Sequence, residues 1–404
     1  MNRARTALVI GGGIAGPVMA LALRRAGIEA TVYEAYEHAA DGVGGMLGLA
    51  PNGLAALDLV GAGHVIGDLG QPVASMMIQS WTGKRLAEFG GGDGVPVFHA
   101  IWRADLYRAL YDEARARGIA IEHGKRLVNA VDHGDGVTAE FADGTRASAD
   151  LLIGADGIRS TVRSLIDPAA PGARYSGLLG FGARPDRPAG LPDTGGSMYM
   201  VYGKRAFFAY FVDPDGRAGW FVNLPRQVPM TAAEAKAVGA REWLRLLEEV
   251  FAGDRVPAVR LLRQCEPDEL VITGALEDLP RVPVWSRGRM VLVGDAAHAA
   301  SPTSGQGASL AVESAVQLAR CLRDAPGHPA AFAAYEALRR ERVERVIAAA
   351  ARGNQQKAAG PVARVVRDLL LPPAMKLLSK PEKMAWQVDY RIDWEAPVEA
   401  TPAA

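Results

Sequence analysis

The stretch TALVIGGGIAGPVMALALRRAGIEATVYEA, residues 6–35, decides the fold. Ala7 to Ile10 is a short apolar run that ends in a glycine cluster. Ile14, Val18, Leu21 and Ala22 then recur at a helical period, and a second run, Ala30 to Tyr33, stops at Glu34. Apolar runs of that length flanking an amphipathic period read as strand, tight turn, helix, strand.

Each glycine has its own task in such a unit. Gly11 turns the chain out of the strand, Gly13 lets backbone N–H groups approach a pyrophosphate, and Gly16 lets the helix pack closely, with Ile14 and Ala15 supplying backbone between them. The helix N-terminus stabilises an anion through its free N–H groups and partial positive charge. Glu34 stands where a carboxylate takes both hydroxyls of an adenosine ribose. It would repel a 2′-phosphate, which suits FAD or NAD better than NADP.

The chain has 404 residues, more than one typical core holds, so two intertwined domains are expected. Hydrophobic residues make up 49%, enough for a packed interior, and Lys+Arg equals Asp+Glu at 45 each. With no strongly basic block, nothing points to nucleic acid or to steering toward an anionic membrane. Cys265 and Cys321 form neither a metal-ligand pattern nor a disulfide framework, which suits a reducing cytoplasm. The apolar run after Arg3 and Arg5 is too short for a signal peptide, and no stretch is long enough for a membrane span.

Beyond Glu34, residues 35–52 are glycine-rich (Gly42, Gly44, Gly45, Gly48) and carry little secondary-structure signal. Ala74 to Glu88 reads as a hairpin around Thr82-Gly83, and Phe98 to Arg117 as helical through Leu106, Leu110 and Ala114. Residues 119–150 read as a meander of short strands. A second strand-to-helix run follows, Leu151 to Arg163, carrying Asp156-Gly157, Ser160 and Arg163. Segment 173–273 alternates and is aromatic, then turns polar and helical from Ala232 to Phe251; it reads as an antiparallel sheet with a covering helix that walls an apolar pocket. The third run, Met290 to Leu310, passes through Gly294-Asp295, His298, Pro302, Gly305 and Gly307 into a long helix at Leu310 to Leu322. The remainder is helical, broken at Gly360-Pro361 and Pro372-Pro373.

These three runs, in this order and spacing, resemble the class A FAD-dependent aromatic hydroxylases with the para-hydroxybenzoate hydroxylase fold, over nearly the whole chain. The 35–52 region and compact length look most like the tetracycline-inactivating and antibiotic-tailoring members. The resemblance implies an α/β fold: a Rossmann-type FAD-binding domain (1–73, 99–172, 274–330) interleaved with an antiparallel-sheet substrate domain (hairpin 74–98 and segment 173–273), then C-terminal helices and a tail (331–404). It also implies that Gly11, Gly13, Gly16 and Glu34 hold the ADP half of FAD, with Gly45 and Arg103 beside it. By the same resemblance Asp156-Gly157 serves both FAD and NAD(P)H, with Ser160 and Arg163 completing the motif, and Gly294-Asp295 meets the ribityl chain. Pro302, Gly305, Gly307, Ala308 and Ser309 then lie beside the isoalloxazine.

The implied activity is hydroxylation of an aromatic or polyketide-like molecule by noncovalent FAD, NADPH or NADH and O2 through a flavin C4a-hydroperoxide, in a monomer or dimer. Alternatives on the same scaffold are epoxidation, Baeyer–Villiger insertion and double-bond reduction. From another class comes a flavin-holding protein without turnover. Met200, Phe208, Tyr210, Phe221 and Asn223 are expected to line the substrate pocket. Either aspartate alone also reads as a helix N-cap. His298 reads as a hydrogen-bonded structural histidine, and His99 as a residue at the pocket mouth. No residue announces itself as the base that would activate the substrate.

Overall fold

The structure, a computed structural model, describes residues 4–37, 44–67, 69–90, 96–357, 360, 364–366, 368–370, 373 and 386–398. Strand β1 (Thr6–Ile10), helix α1 (Ala15–Arg25) and strand β2 (Glu29–Tyr33) form the expected opening unit. Next come β3 (Met46–Leu49), α2 (Pro51–Leu59), β4 (Gln71–Val73), β5 (Ser75–Ser80), β6 (Arg85–Gly90), β7 (Phe98–Trp102), α3 (Arg103–Ala116) and β8 (Ala120–Glu122). The meander is β9 (Leu127–Asp132), β10 (Val137–Phe141) and β11 (Arg146–Ala149), and it leads into β12 (Leu151–Gly154) and α4 (Thr161–Ile166). The aromatic segment folds as β13 (Arg174–Ala183), β14 (Ser197–Tyr202), β15 (Phe207–Val212) and β16 (Ala218–Pro225). It continues as α5 (Ala232–Val238), α6 (Ala240–Phe251), α7 (Ala258–Arg263) and β17 (Val271–Asp278). The chain then runs through β18 (Ser286–Arg287), β19 (Met290–Leu292), α8 (Asp295–His298), α9 (Gly307–Asp324) and α10 (His328–Lys357).

Two large sheets organise these elements. The first has six strands in the order β18-β19-β12-β1-β2-β8, parallel except at β18. The registers Ile10↔Gly154 and Gly154↔Leu292 bring the C-terminal ends of β1, β12 and β19 to one edge. Those are the strands that open the three glycine-bearing runs, and the carboxyl edge of a parallel sheet is where such folds bind ligands. The fully buried Val18, Leu23, Leu106, Leu110, Leu310 and Val316 cover this sheet in one continuous core.

The second sheet has seven strands, β17-β13-β16-β15-β14-β5-β6. It is mixed, correcting the antiparallel expectation: β5 pairs with β14 in parallel, Ser75↔Ser197 through Ser80↔Tyr202. The covering segment is two helices instead of one, because Gly239 between α5 and α6 has φ +95°, a conformation that breaks a helix and suits glycine. Phe98–Trp102 is a strand between β3 and β4, not the start of a helix. Ile101 packs into the main core while Ala100 packs against the second sheet, so the alternation of a strand governs these residues, and the helical period begins only at Arg103. Gly42, Pro361 and Pro372 lie outside the described residues, as does much of the expected tail. Among the described residues no helix is long and apolar enough to cross a membrane.

Candidate active site

The three runs converge through their glycines. Gly11 has φ +103°, and a Cβ there would lie 2.5 Å from the Ala155 carbonyl oxygen; a Cβ at Gly16 would overlap the Gly11 carbonyl. At Gly294 (φ +59°) a Cβ would meet Ala15 at 3.0 Å and Ala311 at 3.2 Å, so this residue is where the turn after β19 meets α1 and α9. The amide of Ala155 donates to Ile10 O at 2.8 Å and that of Val293 to Gly154 O at 2.9 Å, which extends the parallel pairing into the turns. Gly13 differs from these, having nothing within 4 Å of a built Cβ, as do Gly157, Gly305 and Gly307. The first set is packed against the chain itself, while the second faces open space.

Glu34 is buried, and its Oε2 accepts from Gly12 N at 2.6 Å and its Oε1 from Tyr36 N at 3.0 Å. Each oxygen keeps lone pairs for a further donor. Asp156 is committed to its own helix: it accepts from Ser160 Oγ and from Val162 N at 3.1 Å, while Ser160 caps α4 by accepting from Arg163 N at 2.9 Å. Arg163 is buried and spends its guanidinium on the carbonyls of Ala296 at 3.1 Å and Ile158 at 2.7 Å, bracing α4 against α8.

Asp295 is set deep in the protein yet stays partly solvent-accessible. Burial pushes its carboxyl above the usual range, and the positive charge of Arg103 works against that. Among the described residues its carboxylate takes no hydrogen bond. Arg103 itself begins α3; its amide donates to Gly45 O at 3.2 Å, and its side chain lies close against Gly44. Ser309 Oγ accepts from Ala50 N at 3.1 Å, which joins the start of α9 to the segment before α2.

His298 is buried, with Nε2 2.8 Å from Ser314 Oγ and its ring 5.6 Å from that of Trp285. Burial and the nearby Arg339 hold its pKa down at about 3, so it is a neutral core histidine. His99 pairs across to Leu49 and Pro72, and its Cβ packs beside Gly70 on the face of β7 that also carries Ile101, away from the second sheet. Burial lowers its pKa, and this position replaces the expected one at the pocket mouth.

The expected pocket residues divide between two faces of the second sheet. Phe208 and Tyr210 point toward the covering helices, Phe208 stacking on Trp220 at 5.9 Å and meeting Phe251 edge-on at 5.4 Å, and burial pushes the Tyr210 hydroxyl up to about 12. They belong to a core, which corrects their assignment to the pocket. Strand alternation is the reason: Met200 lies opposite Ala209, Phe221 opposite Ala209, and Asn223 opposite Phe207, so these three share the other face. There Met200 and Phe221 join Phe98, Phe211 and Met198 in a small apolar cluster. Phe98 packs against Gly48, which in turn lies near Gly305 O, so this face adjoins the glycine loop before α9.

Two features were missed from sequence. Glu313, fully buried on α9, is bonded by Asn52 Nδ2 at 2.6 Å and paired with Arg339 at 2.6 Å and Arg342 at 2.9 Å. Burial opposes its ionisation, but the two guanidiniums outweigh that and hold its carboxyl below the usual range, which locks α2, α9 and α10 together beneath the site. The second is Lys357 at the end of α10, buried against Asn223. Neither had a local signal, since each depends on helices far apart in sequence.

This geometry agrees with comparison to known proteins. A family profile described as an FAD binding domain matches residues 4–190 and 281–350. An FAD-dependent urate hydroxylase of Klebsiella pneumoniae is 32% identical over 354 residues, covering 84% of this chain and 87% of the relative. A 6-hydroxynicotinate 3-monooxygenase of Pseudomonas fluorescens is 31% identical, covering 86% and 90%. The solved structure of Klebsiella pneumoniae HpxO complexed with FAD and uric acid superposes with a TM-score of 0.82 at 25% identity, covering 95% of this chain and 97% of that one. A Rossmann-type FAD-binding sheet joined to a second, aromatic-faced sheet defines a flavoprotein. The chain belongs to the FAD binding domain family, and it is an FAD-dependent monooxygenase.

Proposed function

We propose that the protein hydroxylates an acidic, hydroxylated heteroaromatic molecule, with NAD(P)H and O2 as co-substrates, at the junction of the two sheets. The observation that carries the site is the deep Asp295 carboxylate, unbonded among the described residues, at the same sheet edge as the open flank of Gly13. A polyhydroxylated dinucleotide suits both, since the carboxylate accepts from hydroxyls and the bare glycine admits a pyrophosphate.

In this reading Gly11, Gly13, Ile14, Ala15, Gly16 and Glu34 hold the adenosine diphosphate half. Asp295 and Gly294 hold the ribityl chain, with Arg103 and Gly45 alongside. Asp156-Gly157 and Arg163 shape the turn beneath them, and Pro302, Gly305, Gly307, Ala308 and Ser309 lie beside the ring system. FAD, when bound, supplies the redox chemistry that carries electrons from NAD(P)H to O2. The chain supplies everything else: the start of α9 aims N–H groups at negative charge on the ring, and Met200, Phe221, Phe211 and Phe98 exclude water from the substrate side.

The substrate class is supported by the relatives, whose names specify urate and 6-hydroxynicotinate, both acidic nitrogen heterocycles. In this reading residues 74–98 and 173–273 form the substrate-bearing part, of which the family match leaves 191–273 uncovered. A cytoplasmic location is supported by Cys265 and Cys321, both free and buried. The test is to measure O2 consumption and NAD(P)H oxidation with urate, 6-hydroxynicotinate and other hydroxylated heterocycles. Expected is oxygen incorporated in proportion to nicotinamide oxidised for at least one of them. Flavin reduction without any oxygenated product across such a panel would reject the hydroxylase reading.

A further inference from the structure

Lys357 sits at the C-terminal end of α10, 8% exposed, with Nζ donating to Asn223 Oδ1 at 2.6 Å. The same nitrogen lies 4.0 Å from the ring centroid of Phe207 and 6.0 Å from that of Phe221. Phe207, Phe221 and Asn223 all belong to the pocket-side face of the second sheet. Three positions earlier on the helix, Asn354 Oδ1 accepts from Ser301 Oγ at 3.0 Å and from Thr303 Oγ1, so this part of α10 is fastened to the loop of Pro302 and Gly305. Lys357 therefore stands where the glycine loop and the aromatic sheet face meet.

Its surroundings do not suit a lysine kept for stability. A buried ammonium normally has a carboxylate, as Arg339 and Arg342 have Glu313. Among the described residues none reaches Lys357; a neutral amide oxygen and two aromatic faces are its company. Burial alone drives its pKa down to about 7, with no charged neighbour contributing. Such a site stores an electrostatic deficit that an anion entering the pocket would relieve.

We infer that Lys357 is the cationic partner of an ionised oxygen on the substrate, with Asn223 holding its Nζ in place and Phe207 and Phe221 flanking the aromatic ring. This rests on the hydroxylase reading and specifies how that site recognises an acidic substrate. Where the amine arrives neutral, the proton of the substrate hydroxyl passes to Nζ: the O–H bond breaks, an N–H bond forms, and the electron pair stays on oxygen. The result is an ammonium beside an oxyanion, and a ring made electron-rich for attack by an electrophilic oxygen. This supplies the substrate-activating group that no sequence motif indicated.

The test uses FAD-loaded wild type, Lys357→Met and Lys357→Arg, titrated with 4-nitrophenol and with its non-ionising methyl ether, 4-nitroanisole, below the pKa of the free phenol. Bound phenolate is read by difference absorbance. Expected is a phenolate band on wild type and on Lys357→Arg, absent from Lys357→Met, which binds the phenol at least about tenfold more weakly because a charge-assisted hydrogen bond is lost. 4-Nitroanisole should bind wild type and Lys357→Met alike. Equal loss of both probes in Lys357→Met would show that the lysine only packs the helix. An unchanged phenolate band in that variant, or no band on wild type, would overturn the proposal too. Flavin absorbance of the same samples keeps the two readings apart, since loss of FAD from wild type counts against the site as a whole and not against Lys357.

Discussion

Gly13 and Gly16 share one motif, yet the structure gives them opposite consequences when a methyl group is added. At Gly16 the new Cβ would overlap the carbonyl oxygen of Gly11, the residue just past β1 whose amide bonds Tyr33 O, with Val32 Cγ1 a further 3.6 Å contact. Relief requires α1 to move off the sheet, and overpacking of this kind costs about 1–3 kcal/mol. For a unit of about 150–250 residues each kcal/mol shifts Tm by about 2–4 °C, so Gly16→Ala should melt at least about 2 °C below wild type even without FAD. At Gly13 nothing lies within 4 Å and φ is not positive, so Gly13→Ala or Gly13→Val leaves the apoprotein's Tm within about 1 °C. The added carbon instead occupies the approach of the pyrophosphate, and FAD affinity should fall about tenfold or more, the larger loss for valine. Differential scanning fluorimetry of apoproteins, paired with fluorescence titration of FAD, measures both. An apo Gly16→Ala as stable as wild type, or a Gly13→Val that holds FAD normally, would refute this division of labour.

Asp295→Ala should weaken FAD binding about tenfold or more, since charge-assisted hydrogen bonds contribute about 1.5–3 kcal/mol each; unchanged affinity would remove the residue from the site. His298 is neutral in the fold with a pKa near 3, against 6.5 for the unfolded chain. A depressed histidine pKa means that its contribution is complete above pH 6.5 and is lost as pH falls toward 3. At pH 5 that amounts to about 2 kcal/mol, so the stability advantage of wild type over His298→Gln in urea unfolding should shrink by about that much between pH 7.5 and 5, and a constant difference would contradict it. Glu34→Ala should weaken FAD binding while leaving hydride transfer near normal at saturating FAD. Asp156→Ala should slow reduction by NAD(P)H with FAD fully bound, because the turn it fastens through Ser160 and Val162 would loosen. Stopped-flow reduction separates the pair, and equal rates in wild type and Asp156→Ala would leave Asp156 as a helix brace only.

What the sequence determined by itself was local. The strand, turn and helix around Gly11 to Gly16 could be read because glycine placement and apolar period act over a few residues, and the same holds at Asp156-Gly157 and Gly294-Asp295. The order of those runs also pointed to the flavoprotein class. Tertiary structure decided what depends on distant partners. Phe208 and Phe207 are neighbours of similar chemistry, yet register with Val222 and Asn223 sends one to the helix-covered core and the other to the pocket face. Phe98 to Trp102 became a strand because β3 and β4 offered it edges on both sides. Asp156 and Asp295 look alike as aspartates opening short helices, but Ser160 and Val162 occupy the first, and among the described residues nothing bonds the second. Lys357 lies 134 residues from Asn223. Burial of a charge is a property of everything packed around it, and no window of sequence contains that.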